Sequence, residues 1–479
     1  MKTNAKKEAL IIGSGPAGLT AALELARSEK LRVLVVEKEN VVGGLAKTIE
    51  YKRCRFDIGP HHYLTESAKV LQWWRERMKD DFHMYKRFTR IYYKKKFFNY
   101  PLEPLNVIKG LSFAECLRCV ASYLKVRIFP IRRVKSFQDW VTNKFGRRLY
   151  SMFFKTYTEK LWGIPCTTLS ADWASQRIKG FSLFHAIFYA FFGRWFINKP
   201  RTIRDTFYYP SRGSGTLWEH AALELQNYDK ARVLLRTEVV AIEHAEHEIT
   251  AVWVRTISSA KGAASTLKHH GIDYLISSMP LRHFVLSMDP LPPEAVVNAA
   301  QALRYRGLII INLIVNKVSI CPDHWLYIHD KDVAMVRLDN MNNFSLRLVD
   351  DATTHTTLCL EYFAWPDDSE WKMADKDLVK RGAEELEKIG LAHASDVIDG
   401  TVVRVGEAYP VYDEGYDQHV QVVRSYLAQF RNLHLVGRNA LHQYNNMDTA
   451  MLTAFDAVDK ILAEQPQPVA QPSSLSSLT

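Results

Sequence analysis

Cysteine is scarce in this chain of 479 residues, and several features of specialised proteins are missing. The six cysteines have no regular spacing, which excludes a disulfide-stapled module, and the one C-x-x-C, Cys116 to Cys119, has no second pair. We therefore predict reduced thiols and no metal site. The opening residues lack the charged, apolar and small-residue pattern of a signal peptide, so we expect a cytoplasmic protein.

Long uncharged apolar runs and internal repeats are also absent. The most apolar stretch, residues 181–197, contains His185 and Arg194 and is shorter than the roughly 20 residues of a membrane span. The stretch is compatible with an interfacial or lid helix and with a buried packing helix. An interfacial helix would bring a peripheral membrane contact. The residues after Glu464 are rich in Pro, Gln and Ser, which predicts a disordered tail.

The chain does have a globular composition, 47% hydrophobic and 24% charged, and a net charge of +11. This positive charge favours an anionic partner, namely nucleic acid, phospholipid or a phosphorylated small molecule. The basic residues are scattered and no RNA- or DNA-reading motif is present, so we expect no nucleic-acid partner. The runs Lys94 to Lys96 and Arg132 to Arg133 are interpreted as solvated faces, with contact to a membrane surface as the alternative.

The first 45 residues carry the most informative pattern. A short apolar run, residues 9–12, precedes a G-x-G-x-x-G turn; a helical pattern follows over 19–28, and a second apolar run, 33–36, ends at an acid. This order predicts a nucleotide-binding βαβ unit, whose glycines allow a tight turn, approach to a diphosphate and close helix packing. The acid would bind the adenosine ribose hydroxyls, which implies FAD or NAD rather than NADP. The residues predicted to hold the dinucleotide are Gly13, Gly15, Pro16, Ala17, Gly18 and Glu37.

Similar strand patterns recur far downstream, which predicts a dinucleotide-binding unit interrupted by insertions. Residues 233–243 have the pattern of a strand pair, 274–279 of a buried strand, and 433–437 of a strand that ends at a glycine. The predicted divisions are 1–100 for the first part of the dinucleotide-binding unit, 101–205 for a helical insertion on the substrate side, 206–290 for the second part of the unit, 291–420 for a strand-rich substrate domain, 421–464 for the last part of the unit, and 465–479 for the tail.

A second glycine-rich turn sharpens the cofactor prediction. Gly43, Gly44 and Leu45, in V-V-G-G-L-A-K-T, resemble the GG doublet of flavoproteins in the amine oxidase, protoporphyrinogen oxidase and UDP-galactopyranose mutase superfamily. The resemblance implies an α/β fold: an FAD-binding Rossmann-like domain of the GR2 type with helical and antiparallel-sheet insertions. No Cys or His stands in a flavin-attachment motif, so noncovalent FAD is expected. The further cofactor residues that the resemblance implies are Lys38, Val240, Gly437, Arg438, Met447 and Asp448.

Four further segments are similar to UDP-galactopyranose mutases. F-D-I-G-P-H-H-Y-L-T, residues 56–65, resembles the mutase segment beside the flavin. F-F-K-T-Y-T-E-K-L-W-G, residues 153–163, resembles the segment that holds the nucleotide base and lines the sugar pocket, and 407–413 and 437–448 resemble the segments that supply tyrosines to the substrate diphosphate. The implied catalytic residues are His61, Arg177 and Arg337, and the implied substrate-binding residues are Phe153, Phe154, Tyr157, Trp162, Tyr409 and Tyr444.

The resemblance implies an enzyme of cell-surface polysaccharide biosynthesis that interconverts the pyranose and furanose forms of a nucleotide sugar through a reduced-flavin N5 adduct. NAD(P)H as external reductant and a homodimer are compatible with it. The chain departs from the mutase pattern at Leu64, Asn445 and Asn446. These departures and the apolar stretch favour an alternative, an FAD-dependent oxidoreductase of the protoporphyrinogen oxidase, amine oxidase or desaturase kind that takes hydride from an apolar or amine substrate.

Purely structural interpretations of the same residues stay open. One alternative is that His61 and His62 only pack in a turn. Another is that Trp162 and Tyr157 are core residues on a helix face. A nucleic-acid or membrane-binding protein with a vestigial nucleotide fold is a third functional hypothesis, supported only by the net charge.

Overall fold

A parallel sheet of five short strands forms the centre of the dinucleotide-binding unit. The computed structural model describes residues 7–100, 104–177, 206–257 and 266–464. The strands of this sheet, in their spatial order, are Leu433–Leu435, Tyr274–Ser277, Glu8–Ile12, Arg32–Val36 and Ala231–Leu234. They come from four distant parts of the chain, as expected for an interrupted unit, and they are apolar because both faces of the sheet are covered.

Helices cover one face of this sheet, and a second sheet with further helices covers the other. The helices of the first face are Pro16–Arg27, Ala68–Met78, Gly215–Leu225 and Met447–Ala463. The opposite face packs on a four-stranded sheet in the order Thr266–His270, Glu248–Thr256, Thr237–Ala245 and Met288–Asp289, and on the helices Leu281–Leu286, Glu294–Ala302 and Tyr416–Leu427. The unit therefore has three layers around two cores.

A seven-stranded sheet forms the second large unit. Its strands, in spatial order, are Val397–Pro410, Tyr305–Val315, Thr356–Ala364, Arg337–Asn340, Trp325–Ile328, Thr89–Tyr93 and Lys96–Asn99. Neighbours are antiparallel, except that Trp325–Ile328 pairs with Thr89–Tyr93 in parallel. One face packs on the helix Asp375–Lys388, and the other on the hairpin Thr48–Tyr51 and Cys54–Asp57 that belongs to the first unit. This hairpin joins the two units.

The predicted helical insertion is helical in its described part. Its helices are Pro104–Gly110, Phe113–Ile128, Phe137–Phe145, Arg147–Leu149, the π-helix Tyr150–Lys155, Thr156–Trp162 and Ala171–Arg177. Short elements complete the described residues. They are the paired strands His83–Lys86 and Thr206–Tyr209, the 3-10 turns Gly44–Ala46, Lys79–Asp81, Leu346–Leu348 and Ala394–Asp396, and the helices Met341–Phe344, Ser369–Lys372 and Gly437–Ala440.

The predicted fold class is confirmed, since a parallel sheet carries helical and antiparallel-sheet insertions. The first helix begins at Pro16, earlier than its apolar pattern predicts, because proline is tolerated in a first helical turn. The pattern at 233–243 divides between two sheets. Residues 89–99 pair within the seven-stranded sheet, although we assigned 1–100 to the dinucleotide-binding unit; the other domain limits stay predictions.

Two sequence predictions fall outside the described residues. These are the apolar stretch 181–197 and the tail 465–479. Within the ranges that the structure does describe, no helix combines the length and the apolar character needed to cross a bilayer.

Candidate functional site

The first glycine turn depends on contacts that only glycine permits. Gly13 has a φ of +96°, a backbone conformation that residues with a side chain rarely adopt. A Cβ on Gly18 would lie 1.9 Å from the carbonyl oxygen of Gly13. The backbone of the helix Pro16–Arg27 therefore lies in direct contact with the backbone of the turn before it.

The second glycine turn lies directly against the first. The nitrogen of Gly43 donates to the carbonyl oxygen of Ser14 over 2.9 Å, and a Cβ on Gly44 would lie 3.0 Å from Cα of Gly15. Gly43 and Gly44 both have positive φ, and Leu45 lies in the 3-10 turn that follows. None of these glycines has a side chain, so the two turns meet at backbone distance.

The first helix begins without a side-chain cap. Gly15 is its N-cap residue, its first turn contains Pro16 and no acid, and no described side chain accepts a hydrogen bond from its first N–H groups. Ala17, which follows, is buried. Unpaired N–H groups and the helix dipole favour an anion at this position. A diphosphate therefore fits here.

Glu37 ends the second strand with its carboxylate already oriented. One carboxylate oxygen accepts from the nitrogen and the hydroxyl of Ser14 over 2.7 and 2.9 Å, and the other accepts from the nitrogen of Glu39 over 2.9 Å. A carboxylate has about four lone-pair positions, so capacity remains for a ribose hydroxyl. Lys38 beside it is exposed, and Val240 lies at an irregularity of the strand Thr237–Ala245.

The C-terminal residues predicted to contact the cofactor lie against the first helix. Gly437 has a φ of +81°, and a Cβ on it would lie 3.1 Å from Cβ of Ala17. Met447 begins the last helix, which packs on the first one, and is buried. Burial raises the pKa of the next residue, Asp448, while a hydrogen bond from Thr65 opposes the shift.

Two tyrosines predicted on the substrate side stack on each other. The rings of Tyr409 and Tyr444 lie 5.2 Å apart with an angle of 15° between their planes. The guanidinium of Arg438 lies 4.7 and 5.2 Å from the two ring centres and donates to the carbonyl oxygens of Asn445 and Ala408. Arg438, which the resemblance assigned to the cofactor, is thus held at the tyrosine pair.

Trp162 packs behind this pair. Its side chain is buried and makes edge-on ring contacts to Trp173, Tyr409 and Tyr412 at 4.9, 6.4 and 6.2 Å. Its indole Nε1 is buried without a hydrogen-bond partner among the described residues. The hydroxyl of Tyr412 accepts from the nitrogen of Tyr444 over 2.6 Å, which fixes the backbone of the tyrosine pair.

Tyr157 reaches the same region from the first turn of the helix that ends at Trp162. Its ring stacks on His329 at 4.7 Å and meets Tyr327 edge-on at 5.7 Å. Burial raises the pKa of Tyr157 well above its ordinary value, and the positive charge of Arg337 only partly opposes this. The hydroxyl of Tyr157 therefore stays protonated and can donate a hydrogen bond.

Arg337 is paired with Glu361, an acid that is not among the predicted site residues. Nε of Arg337 donates to Oε1 of Glu361 over 2.9 Å, and a terminal guanidinium nitrogen donates to the other carboxylate oxygen. The side chain of Glu361 is fully buried, whereas that of Arg337 keeps 15% exposure. A guanidinium has five N–H donors and this pair uses two, which leaves donors for a further anion.

Asp339 adds another buried acid to this pair. Burial, and then the negative charge of Glu361, raise the pKa of Asp339 well above its ordinary range, which favours the protonated carboxyl. A Cβ on Gly59 would lie 2.9 Å from Oε1 of Glu361. The turn that carries His61 therefore passes immediately over Glu361.

The two adjacent histidines have different surroundings. Burial, the positive charge of Arg438 and that of Arg337 lower the pKa of His61 to about 3, so its imidazole is neutral at physiological pH. His62 stacks on Trp325 at 5.0 Å, and its Nδ1 lies 3.1 Å from the carbonyl oxygen of Pro60. The turn-packing interpretation fits His62, while His61 lies close to both arginines.

Asp57 is a further acid that we had not assigned to the site. It is buried and accepts hydrogen bonds from the hydroxyls of Thr48 and Tyr209, each over 2.6 Å, and from the nitrogen of Ser214 over 3.1 Å. Burial raises the pKa of Asp57 to about 6, against the effect of these hydrogen bonds. Asp57 thus ties the hairpin between the two units to the helix Gly215–Leu225.

Three predicted residues are not seen in this group. Phe153 is buried against Phe98, and Phe154 stacks on Phe145 at 5.1 Å, so both rings take part in packing within the helical region. Arg177 ends the helix Ala171–Arg177, and its side chain lies outside the described part of the chain. The roles of all three stay predictions.

The missed acids had a signal in the sequence. Glu361 is the one charged residue in the strand T-T-L-C-L-E-Y-F-A, and Asp57 ends C-R-F-D. An acid inside a buried apolar strand is rare without a partner or a function. The partner of Glu361 could not be named, because strand pairing joins residues that are distant in sequence.

Comparison with known proteins identifies the family. The family model described as flavin containing amine oxidoreductase matches residues 16–462. The chain belongs to this family. It is therefore a flavoprotein with FAD as cofactor, and the glycine turns, the uncapped helix and Glu37 fit the diphosphate and ribose of FAD. Noncovalent attachment stays a prediction.

Curated relatives match this chain over a short stretch only. A phytoene desaturase of Phycomyces blakesleeanus is 47% identical over 58 residues, which are 12% of this chain and 10% of the relative. A 1-hydroxycarotenoid 3,4-desaturase of Flavobacterium sp. is 50% identical over 54 residues, 11% of each chain. The match thus spans about a tenth of these relatives.

Solved structures resemble the amine oxidoreductase fold over nearly the whole chain. A reduced UDP-galactopyranose mutase superposes with a TM-score of 0.78 at 19% identity and covers 95% of this chain and 94% of its own. A fatty acid isomerase from P. acnes reaches 0.60 at 13% identity, with 96% and 99% covered. A putrescine oxidase variant reaches 0.63 at 15% identity, again with 96% and 99% covered. At these identities the likeness concerns the fold alone.

Proposed function

We propose that this flavoenzyme interconverts the pyranose and furanose forms of a nucleotide sugar. The observation that carries the proposal is the convergence of one arginine and two tyrosines, Arg337, Tyr409 and Tyr444, with Arg438 over both rings. A site with two guanidinium groups and two phenols suits an anion with several phosphate oxygens. The diphosphate of a nucleotide sugar has this chemistry.

Tyr409 acts as a neutral donor in this proposal. Burial and the neighbouring Tyr444 raise its pKa to about 12, although the positive charges of Arg337 and Arg438 oppose the shift. The phenol therefore keeps its proton at physiological pH. It can donate a hydrogen bond to a phosphate oxygen without adding a negative charge to the site.

Glu361 orients the arginine. The two hydrogen bonds to Glu361 fix one edge of the Arg337 guanidinium, so that the remaining N–H groups keep one direction. A pre-oriented guanidinium loses less side-chain freedom when an anion binds. The raised pKa of Asp339 favours its uncharged form, which limits the negative charge beside the substrate in this proposal.

His61 contributes shape rather than charge. Because its pKa is lowered to about 3, it neither competes with the arginines for an anion nor acts as a strong acid at neutral pH. Bound FAD, when reduced, supplies the nucleophilic centre at which a sugar can be detached from its nucleotide and reclosed. The chain's own part is to retain the nucleotide diphosphate during this interval.

The test is an isomerisation assay with reduced holoenzyme. Dithionite-reduced protein is incubated with UDP-galactopyranose and a panel of other nucleotide hexoses, and the products are separated and identified by NMR. Furanose product from at least one of them is expected, with none from the oxidised protein. Absence of furanose from the whole panel, with bound and reducible flavin, contradicts the proposal.

A second candidate is a hydride-removing oxidoreductase acting on an apolar or amine substrate. The pairing of Glu361 with Arg337 favours it, because the carboxylate offsets the positive charge of Arg337 that would attract a diphosphate. The aromatic surroundings of Tyr157 also suit an apolar substrate. This candidate predicts that phytoene, putrescine or a porphyrinogen bleaches the flavin without oxygen; if none does while UDP perturbs the flavin spectrum, the candidate fails.

A further inference from the structure

One helix of the helical region exposes a continuous apolar stripe. In Phe113–Ile128 the exposed apolar side chains are Phe113, Leu117, Val120, Leu124 and Ile128, with exposures of 78, 54, 51, 53 and 69%. Their spacing of four, three, four and four residues puts them on one side of an α-helix. We name these five residues the apolar stripe. Phe129, the next residue, is 73% exposed and extends it.

The opposite side of the same helix is the side that packs. Val126 is buried, and Cys119 contributes to a core with Phe98 and Phe153. The carboxylate of Glu115 pairs with Arg148, a residue of the short helix Arg147–Leu149. The helix therefore packs on the rest of the protein with one face, and the apolar stripe lies on the opposite face.

Basic residues border the stripe on both sides. At about 100° per residue, Arg118 and Lys125 follow the stripe on one edge and Arg127 precedes it on the other. All three are exposed. The loop beyond the helix adds Arg132, Arg133 and Lys135, which are exposed as well. Glu115 is the one acid among residues 112–135, and it lies on the packed side.

We propose that this face docks onto a bilayer that contains anionic phospholipid. An exposed apolar stripe flanked by Lys and Arg has the chemistry of a helix that lies in the plane of the membrane interface. The stripe would enter the acyl boundary while the basic side chains stay at the level of the headgroup phosphates. The inference does not depend on the proposed reaction.

A second copy of this chain is a poorer occupant for the same face. A two-fold contact places one patch against itself, so that the cations bordering the stripe would face cations of like charge. Such juxtaposition is unfavourable without intervening acids, and the segment has no acid free of ion pairing. Phospholipid supplies the opposite charge at every edge of the stripe.

The test is vesicle binding by the full-length holoenzyme. The protein is sedimented with vesicles of phosphatidylcholine alone and of phosphatidylcholine with one third phosphatidylglycerol. We expect binding to the anionic vesicles, weakened at least fivefold by raised salt, and little binding to the neutral ones. The variant Leu117→Gln/Leu124→Gln/Ile128→Gln should lose about tenfold or more in binding, and Lys125→Gln/Arg127→Gln should lose the salt-sensitive part.

The matched control is Leu291→Gln/Leu346→Gln, which removes two leucines of 62 and 64% exposure away from the stripe. It should bind like the wild type. Flavin content and circular dichroism check that each variant is folded. Failure of the wild type to bind anionic vesicles, or equal binding by the stripe variant, overturns the proposal. A dimer that the stripe variant abolishes, without vesicle binding by the wild type, assigns the face to a second copy instead.

Discussion

Arg337 and Glu361 are direct cross-strand partners, and their side chains form a two-bond ion pair at the boundary between the two large units. The acid is fully buried and the guanidinium is nearly so. The pair therefore holds a positive charge in the interior, close enough to Tyr409 that the charge opposes the rise in the pKa of this phenol.

Glu361→Gln should be strongly destabilising. The change leaves the Arg337 cation in a buried position without its carboxylate, which typically destabilises by about 3–5 kcal/mol. Urea unfolding of holoenzyme measures the loss. The control is Glu384→Gln, since Glu384 and Lys380 form an exposed pair and the loss there should stay below about 1 kcal/mol. Equal losses of unfolding free energy in the two variants would show that the buried pair stabilises the protein no more than an exposed one.

Gly44→Ala should lower the affinity for FAD. The new Cβ would lie 3.0 Å from Cα of Gly15, and backbone on backbone cannot give way easily. We expect roughly tenfold weaker binding or more, measured as the ratio of flavin to protein during dilution. Gly390→Ala is the control, because Gly390 also has positive φ, at +76°, but has open space around it. Full flavin content in both variants would contradict the close approach of the turns.

Tyr409→Phe should weaken the binding of UDP without unfolding the protein. The ring and its stacking on Tyr444 are kept, whereas one neutral donor to a charged phosphate is lost, worth about 1.5–3 kcal/mol or roughly 10–100-fold. Titration calorimetry with UDP measures the effect. Tyr426→Phe, a half-buried tyrosine beside Phe430, serves as control. An unchanged affinity in Tyr409→Phe would remove this tyrosine from the proposed diphosphate site.

Asp57 should make the protein less stable as the pH rises from about 4 to about 6. Its pKa in the folded protein is about 6, mainly because it is buried, against about 3.9 in an unfolded chain. The folded state therefore binds the proton more tightly, and its stabilising contribution, on the order of 3 kcal/mol, is present below pH 4 and lost through pH 6. Urea unfolding at several pH values measures this.

Asp57→Asn is the comparison for that experiment. It keeps the size of the side chain but removes the titration, so the difference in unfolding free energy between wild type and variant should change with pH over this interval. The pKa of His61 also changes on folding, in the opposite sense, but both proteins contain it and its effect cancels. A difference that does not vary with pH would contradict the raised pKa of Asp57.

Local sequence patterns were sufficient to predict the first βαβ unit of the dinucleotide-binding unit. The spacing of Gly13, Gly15 and Gly18 and the acid at Glu37 depend on contacts within one βαβ unit, so neighbouring residues in sequence are neighbours in space. The resemblance also directed attention to Tyr409 and Tyr444, which lie together. It could not show that Phe153 and Phe154 pack into the helical region, since side-chain direction in a π-helix is not read from spacing.

The sequence by itself determined the glycine turns and a dinucleotide site, because both follow from short runs whose geometry is local, and its resemblance to known flavoproteins implied the fold class and FAD. Only the tertiary structure decided which strands pair, and with them that Glu361 faces Arg337 and that Gly59 passes close to Glu361. It also decided that the helix Phe113–Ile128 keeps its apolar stripe outside, although the same spacing in a sequence is usually a core face. Long-range pairing and exposure are properties of the whole packing, and no single segment contains them.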